Sequence, residues 1–141
     1  MCGNAARAAA LIGTAKKSEV TFKTRVGLVH GRRLSDKETE VKFHIPEIKI
    51  TEIDKPCGGI GPKGYLLNTG VPHCVIPVDD PWSLDKNKRG DLAKYIFSTE
   101  FGAKGANLTF ANWSDPQKIK AVTLERGVND FTLSCGTGVI A

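Results

Sequence analysis

The sequence predicts an α+β protein built mainly from short strands. Apolar and polar residues alternate along residues 19–29 and 40–53, which is typical of half-buried strands. Residues 3–13 are rich in alanine, and residues 87–99 carry apolar side chains at helical spacing. With 141 residues the chain is long enough for one ordinary domain or two small ones, and the sequence shows no apolar stretch of membrane-spanning length.

The first elements are a helix and a strand. Asn4 is expected to cap the helix over residues 3–13, and Gly13 is expected to end it. The alternation over residues 19–29 predicts one strand. Its apolar face is formed by Val20, Phe22, Val26 and Leu28.

A polar turn over Arg32–Thr39 leads to a second strand over residues 40–53. Pro46 interrupts this strand and indicates an edge or a bulge. The stretch KPCGGIGPKG at residues 55–64 has four glycines and two prolines, which is typical of a turn or linker. It is not a phosphate-binding loop, because the Gly-Lys-Ser/Thr sequence that such a loop requires does not follow.

The second half consists of more strands. Tyr65–Asn68 and Cys74–Val78 are predicted to be strands around a Gly-Val-Pro turn. Three further short strands are expected near residues 106–111, 118–125 and 130–134. The last of them leads directly into the segment Cys-Gly-Thr-Gly.

One helix is predicted between these groups of strands, over about residues 87–99. Ser83 or Asp91 is expected to cap it. Its apolar face is formed by Leu92, Ala93, Ile96 and Phe97.

The charge pattern argues against nucleic-acid binding. The net charge is +5, but basic residues alternate with acidic ones, and aromatic residues make up only 7% of the chain. The sequence lacks the features of a signal peptide and of a membrane anchor, so a cytoplasmic location without a membrane partner is expected. In the cytoplasm the four cysteines would be reduced.

Two of the cysteines have an ordinary structural interpretation. Cys57 and Cys74 are expected to be small buried hydrophobic residues. A zinc site formed by Cys57, His73 and Cys74 is the weaker alternative, because adjacent His and Cys residues chelate poorly and a Cys-x-x-Cys pair is missing from the sequence.

The other two cysteines, Cys2 and Cys135, each precede a glycine and a residue able to cap a helix, Asn4 or Thr137. A thiol at a helix N-terminus has a lowered pKa, and the free backbone N–H groups there bind a carboxylate. If both helix ends faced one cavity, one thiolate could remove a proton from an α-carbon and the other thiol could return one on the opposite face. This chemistry is racemisation or epimerisation, and it requires neither cofactor nor metal. A thiol redox protein is an alternative use of the same two cysteines.

At these residues the sequence resembles the diaminopimelate epimerase family. MCGNAAR resembles the first active-site motif of that family, and ERGVNDFTLSCGTG resembles the second. LLNTGVPHCVIPVD resembles the segment that opens the family's second domain, and FGAKGANLTFAN resembles its Gly-x-Asn strand. The order and spacing of these segments agree over nearly the whole chain.

The resemblance implies two similar domains, each a small sheet or half-barrel wrapped on a central helix. It also implies a cofactor-independent isomerase in lysine and peptidoglycan-precursor biosynthesis, with a small amino acid such as diaminopimelate as substrate. The implied catalytic residues are Cys2, Cys135, His73 and Glu125. The implied substrate-binding residues are Gly3, Asn4, Gly136 and Thr137 at the α-carboxylate, and Asn107, Glu125 and Arg126 at the far end of the substrate.

The sequence departs from the family pattern in several places. Val71 stands where the family usually has an asparagine that contacts substrate, and Ala5, Ala8 and Phe131 are further differences. The chain is also about half as long as the family's. We therefore expect a partial first domain over residues 1–57, a linker over 58–64 and most of the second domain over 65–141.

The shortened chain leaves two interpretations open. The first is an active epimerase. The second is an inactive or incomplete remnant that assembles with other chains or binds a small anion. In either case incomplete sheets would expose edges and apolar surface, so a homo-oligomer or a complementing partner chain is expected.

Overall fold

The structure is a computed structural model that describes residues 2–25, 27–45, 47–84, 89–115, 117–133 and 135–141. The chain divides into two compact units, residues 1–46 and residues 47–141. Both combine strands with short helices, so the α+β class is confirmed. In the described parts of the chain, no helix is long and apolar enough to cross a membrane.

The first unit is a helix on a three-stranded antiparallel sheet. Its elements, in chain order, are α1 (Gly3–Gly13), β1 (Glu19–Thr24), β2 (Gly27–Arg33) and β3 (Thr39–Phe43). Ala6 and Ala10 of α1 are buried. Gly31 of β2 allows the close approach, because a Cβ atom there would lie only 2.5 Å from the Cβ of Ala10.

The single strand expected over residues 19–29 is wrong, because these residues form the hairpin of β1 and β2. Thr24 pairs with Gly27, and the hydroxyl of Thr24 donates to the Gly27 carbonyl at 2.8 Å. The alternating pattern runs through both arms of a tight hairpin, which conceals the reversal of the chain. Leu28 is consequently 51% exposed while Val29 is buried. Val26 lies outside the described residues.

The strand expected over residues 40–53 is also two separate strands. β3 ends at Phe43 in the first unit, and β4 (Thr51–Asp54) belongs to the second unit. The apolar residues that suggested continuity, Ile48 and Ile50, are 42% and 64% exposed. Pro46 lies outside the described residues.

The second unit contains a six-stranded sheet in the order β4-β5-β6-β7-β8-β9. β6 and β7 are parallel, and all other neighbouring strands are antiparallel. After β4, the elements are α2 (Pro56–Gly59), β5 (Lys63–Asn68), β6 (Pro72–Pro77), α3 (Arg89–Ala93), β7 (Asn107–Asp115), β8 (Lys118–Glu125), β9 (Asp130–Thr132) and α4 (Gly136–Val139).

The predicted strands of the second half correspond to β5 to β9, although Ser134 at the end of the last prediction lies outside the described residues. The expected linker over 58–64 instead joins β4 to β5. These two strands pair with each other, with Ile53 opposite Gly64, so the segment lies within the second unit. Cys57, Gly58 and Gly59 take left-handed backbone conformations that turn the chain between the two strands.

The long helix expected over residues 87–99 is wrong in length. α3 ends at Ala93, and 3₁₀ turns follow at Lys94–Phe97 and Thr99–Phe101. Residues 87 and 88 lie outside the described residues. Ser83 does not cap this helix, because it belongs to a separate 3₁₀ turn over Pro81–Ser83, and Asp91 lies inside α3.

The core of the second unit lies between the sheet and these short helical turns. Leu92 and Ile96 are buried as expected, whereas Phe97 is 60% exposed. The other large buried side chains come from the central strands and the last 3₁₀ turn: Ile76, Phe101, Leu108, Phe110 and Leu124. This core fixes the positions of β6, β7 and β8, which carry the polar residues described next.

Candidate active site

Both Cys-Gly segments begin a helix, as predicted. Cys2 precedes α1 with φ −126° and ψ 110°, and Cys135 precedes α4 with φ −125° and ψ 100°. Each cysteine therefore occupies the N-cap position itself. The caps expected at Asn4 and Thr137 are wrong, because both residues already lie inside their helices.

The thiol of Cys2 lies on an exposed, largely apolar part of the first unit. Cys2 lines a depression of about 410 Å³ together with Ala5 and Ala9 of α1 and with Phe22 and Phe43 of the sheet. Cys2 itself is exposed. The protein surroundings of this thiol in the first unit are thus mostly hydrocarbon.

The thiol of Cys135 lies beside polar groups. Its Sγ atom is 3.4 Å from Oγ1 of Thr137, and that hydroxyl is 3.0 Å from Nε2 of His73. The Thr137 carbonyl accepts a hydrogen bond of 2.9 Å from the hydroxyl of Thr69. Thr137 thus connects the half-buried thiol to an imidazole, and Thr69 holds the first turn of α4 in place.

His73 lies at the start of the parallel pair β6 and β7, and its side chain is completely buried. Its Nδ1 atom is 3.1 Å from Oγ1 of Thr109, which is in turn 3.2 Å from Oγ1 of Thr123. Burial, and to a smaller extent the positive charge of Arg126, lowers the pKa of His73 to about 4. The imidazole is therefore neutral at pH 7.

Asn107 is the residue opposite His73 on β7, and it is also buried. Its Oδ1 atom accepts a hydrogen bond of 2.9 Å from the backbone N–H of Arg126, and its Nδ2 atom is 3.5 Å from Nε2 of His73. The Arg126 guanidinium donates to the carbonyl of Lys104. Asn107 and Arg126 therefore bind groups of the protein itself.

Glu125 lies at the end of β8, opposite Asp130 of β9. Its Oε1 atom accepts a hydrogen bond of 2.6 Å from the hydroxyl of Thr132. The second unit thus brings together Cys135, Thr137, His73 and Asn107 through direct contacts, with Arg126 bonded to Asn107 through its backbone. Cys2, Gly3 and Asn4 lie in the first unit.

Gly138 is a site residue that the sequence reasoning missed. A Cβ atom at this position would lie 2.7 Å from Oγ1 of Thr123, 3.0 Å from Oγ1 of Thr109 and 3.2 Å from Cε1 of His73. The second glycine of Cys-Gly-Thr-Gly therefore lets α4 lie directly on this polar group. Thr109 and Thr123 were missed as well. Asn107 and Thr109 of β7 alternate with apolar residues, so the sequence already places these two polar side chains on the same face of the strand.

The two structural cysteines are buried, which confirms the ordinary interpretation. Cys57 is 2% exposed and Cys74 is 0% exposed. Burial raises the pKa of each thiol to about 12, with a smaller contribution from the charge of Glu100. Both therefore stay protonated and unreactive at neutral pH.

The fold and these contacts define a class of protein: an α+β protein with two cysteine-led helices, one of them resting on a buried imidazole. Sequence comparison identifies the family. The sequence model of diaminopimelate epimerase matches residues 65–141, more than half of the chain. The chain belongs to the diaminopimelate epimerase family.

Relatives in this family match the chain from end to end. The diaminopimelate epimerase of Aquifex aeolicus is 34% identical over 149 residues, covering 100% of this chain and 51% of the relative. The enzyme of Hydrogenobaculum sp. is 35% identical and that of Campylobacter lari 37%, covering 100% and 99% of this chain, and each matches over 52% of its own length. The chain spans about half the length of the curated relatives it matches.

Proposed function

We propose that this chain carries the two proton-transferring cysteines of a cofactor-independent epimerase that acts on diaminopimelate or a closely related amino acid. The observation that supports this most directly is the matched geometry of Cys2 and Cys135. Their φ and ψ angles agree within about 10°, although they precede helices in two different units. Two thiols placed in the same way at two helix starts are what a two-base proton transfer needs.

In the proposed reaction one cysteine acts as a thiolate and removes the α-proton of the substrate. The other acts as a thiol and delivers a proton to the opposite face of the α-carbon, which inverts its configuration. The backbone N–H groups of the first helical turns bind the α-carboxylate and stabilise the negative charge that develops on it. These groups belong to Gly3 and Asn4 in α1 and to Gly136 and Thr137 in α4.

His73 and Glu125 are proposed to assist the thiols. Because the pKa of His73 is about 4, its imidazole at rest is neutral at pH 7 and has one nitrogen that can accept a hydrogen bond. It reaches Cys135 through the hydroxyl of Thr137, at 3.0 Å and 3.4 Å. Glu125 is proposed to act with Arg126 and Asn107 at the far end of the substrate.

The second candidate function is an inactive member of the family that binds a small anion or assembles with another chain. Asn107, a proposed substrate ligand, favours it, since its carbonyl oxygen bonds to Arg126 and its amide faces His73. Val71 favours it too, because its side chain forms no hydrogen bond where the family pattern has asparagine. A cytoplasmic location and self-association remain predictions for both candidates.

Hydrogen–deuterium exchange at the substrate distinguishes the two functions. The chain is incubated with LL- and meso-diaminopimelate in deuterated water under reducing conditions, and the loss of the α-proton signal is followed by NMR. An active epimerase exchanges this proton and also interconverts the two isomers. Cys2→Ala and Cys135→Ala each abolish the interconversion, because a single thiol can return a proton only to the face from which it was removed.

Cys57→Ala is the matched control, because this buried thiol has no role in the proposed reaction, and exchange should persist in it. If a folded wild-type chain exchanges nothing, the second candidate is favoured. Interconversion of the isomers that survives in either Cys2→Ala or Cys135→Ala would refute the two-thiol mechanism.

A further inference from the structure

The buried hydrogen bonds around His73 have a direction that the heavy atoms alone do not reveal. A neutral imidazole has one N–H donor and one acceptor nitrogen, and each threonine hydroxyl has one hydrogen to donate. The contacts form a series of hydrogen bonds that runs from Cys135 through Thr137, His73 and Thr109 to Thr123. Donors and acceptors in this series can therefore be assigned in two opposite directions. In one direction Nε2 of His73 is an acceptor, and in the other it is a donor.

Asn107 distinguishes these two directions. Its Oδ1 atom accepts the backbone N–H of Arg126 at 2.9 Å, and a backbone N–H is always a donor. This contact fixes the orientation of the amide and turns its NH₂ group toward Nε2 of His73, at 3.5 Å. A hydrogen on Nε2 would then face a second donor, so the acceptor state of Nε2 is favoured.

We propose that Asn107 is a positioning residue that holds His73 in the tautomer with its proton on Nδ1 and an unprotonated Nε2. This proposal deepens the proposed function, on which its catalytic meaning rests. It assigns Asn107 a task inside the protein, in addition to the contact with substrate that the family resemblance implies. The tautomer itself is a property of the folded chain without substrate.

The tautomer determines every other hydrogen bond in the group. Nδ1–H of His73 donates to Thr109, and the Thr109 hydroxyl donates to Thr123. On the other side, the Thr137 hydroxyl donates to Nε2, which leaves its oxygen free to accept the S–H of Cys135. Among the described residues every buried side-chain nitrogen and oxygen atom has a hydrogen-bond partner, as such a fully directed group requires.

The same arrangement provides a path for the thiol proton. When Cys135 becomes a thiolate, its proton moves to Oγ1 of Thr137 while the Thr137 proton moves to Nε2 of His73. The products are a thiolate and an imidazolium, so the total charge is unchanged. Because burial holds the pKa of His73 at about 4, the imidazolium lasts only until the reverse transfer restores the thiol. If Nε2 carried the proton at rest, it could not accept one from Thr137.

The test is the protonation of the imidazole nitrogens, measured by two-bond ¹H–¹⁵N correlation NMR on the full ¹⁵N-labelled chain at pH 7. We expect His73 to show an unprotonated Nε2 and a protonated Nδ1. A protonated Nε2, or shifts averaged between the two tautomers, would overturn the proposal. This wild-type measurement decides the matter even if the variants fail to fold.

Asn107→Asp tests whether residue 107 sets the tautomer. A carboxylate accepts hydrogen bonds at both oxygens, so it can bind the Arg126 N–H and also a hydrogen on Nε2. We expect the Nε2 resonance of His73 to move to the position of a protonated nitrogen. An unchanged Nε2 resonance in a folded variant would contradict the assignment to Asn107.

Thr21→Val is the matched control. Thr21 bonds to Nδ1 of His30 at 2.9 Å on the exposed sheet of the first unit, so its removal should change the His30 resonances and leave those of His73 in place. Because no substrate is present, these results are separate from the exchange assay. A chain that lacks epimerase activity can still show the expected tautomer, and an active chain can show the wrong one.

The reactivity of Cys135 gives a second readout. In a Cys2→Ala background, Asn107→Asp reverses the hydrogen bonds so that the Thr137 hydroxyl points to the sulfur and stabilises the thiolate. A hydrogen bond to a charged group then predicts alkylation by iodoacetamide at pH 7 that is faster by roughly fivefold or more. A merely structural role for Asn107 predicts a lower Tm without the change in tautomer, and that outcome would overturn the proposal.

Discussion

The two cysteine-led helices differ far more in what they rest on than in how they begin. α1 and α4 start with nearly the same backbone angles, but α1 packs through alanines on a glycine of the sheet, while α4 packs through a glycine of its own on threonines and a histidine. The same Cys-Gly turn can therefore place a thiol beside apolar side chains, as in α1, or beside a hydroxyl that bonds to an imidazole, as in α4. The neighbouring strands, rather than the Cys-Gly turn, decide which.

The largest effect is expected when the close approach of α4 to the polar residues of the sheet is removed. Gly138→Ala places a Cβ atom 2.7 Å from the Thr123 hydroxyl, so either α4 or the Thr123 side chain must shift. We expect a loss of about 1–3 kcal/mol in the free energy of unfolding. A displacement of about 1 Å also predicts a loss of roughly a hundredfold in α-proton exchange.

Gly3→Ala is the matched control for stability, because a Cβ atom at Gly3 meets nothing within 4 Å. In a helix Ala is favoured over Gly by roughly 0.5–1 kcal/mol, so this variant should be as stable as the wild type or slightly more so. Urea unfolding measures both variants. Equal effects of the two substitutions would show that the close approach of α4 is unimportant.

The buried imidazole predicts a dependence of stability on pH. The pKa of His73 falls from 6.5 to about 4 on folding, so between these values the unfolded chain binds more protons than the folded chain. This contribution to stability is complete above pH 6.5 and is lost as the pH falls, to a total of about 3 kcal/mol near pH 4. Urea unfolding at pH 7 and pH 4.5 should show this loss in the wild type and a smaller one in His73→Asn. Equal losses in the wild type and in His73→Asn would show that His73 does not cause this pH dependence.

The close approach of α1 to its sheet can be removed by a substitution in β2. Gly31→Ala places a Cβ atom 2.5 Å from the Cβ of Ala10, and neither atom belongs to a flexible side chain. We expect a destabilisation of about 1–3 kcal/mol. Amide hydrogen exchange should be faster along α1 in Gly31→Ala than in the wild type. Unchanged protection of the α1 amides would show that the helix does not depend on this contact.

The smallest effects are expected from two Thr–His hydrogen bonds, one buried in the second unit and one exposed in the first. Thr109→Val leaves the buried Nδ1–H of His73 without its acceptor, which should cost about 1–3 kcal/mol. Thr21→Val removes a similar bond to the exposed His30, where water replaces the hydroxyl, so the change should stay within about 0.5 kcal/mol. Thermal unfolding of the two variants and of Thr109→Ser measures the difference. Equal costs would mean that burial does not strengthen the contact.

Much of the fold could be predicted from local patterns. The helix over residues 3–13 and the strands β5 to β9 follow from alternation, helix-forming alanines and Gly-Pro turns. The β1–β2 hairpin was missed because its alternation continues through the turn. The short α3 was overestimated because apolar residues at helical spacing also fit the 3₁₀ turns that follow it.

The candidate site could be predicted only in part. Cys2 and Cys135 stood out because each precedes a glycine and a residue able to cap a helix, whereas His73 was named as a catalytic residue only through the family resemblance. Thr109, Thr123 and Gly138 did not stand out, because their importance depends on distances between strands that are far apart in the sequence. A lone threonine in a strand is ordinary, and only the register of β6, β7 and β8 shows that the Thr109 hydroxyl bonds to the imidazole and the Thr123 hydroxyl to Thr109.

The parallel pairing of β6 with β7 also has a consequence for biosynthesis. His73 and Asn107 are neighbours across that pair although 34 residues separate them, and Thr137 reaches His73 from 64 residues away. Contacts of such long range form slowly and late in folding. On the ribosome the imidazole would lack its thiol neighbour until residues 135–137 have left the exit tunnel, so the buried polar cluster closes around His73 only after that segment has emerged.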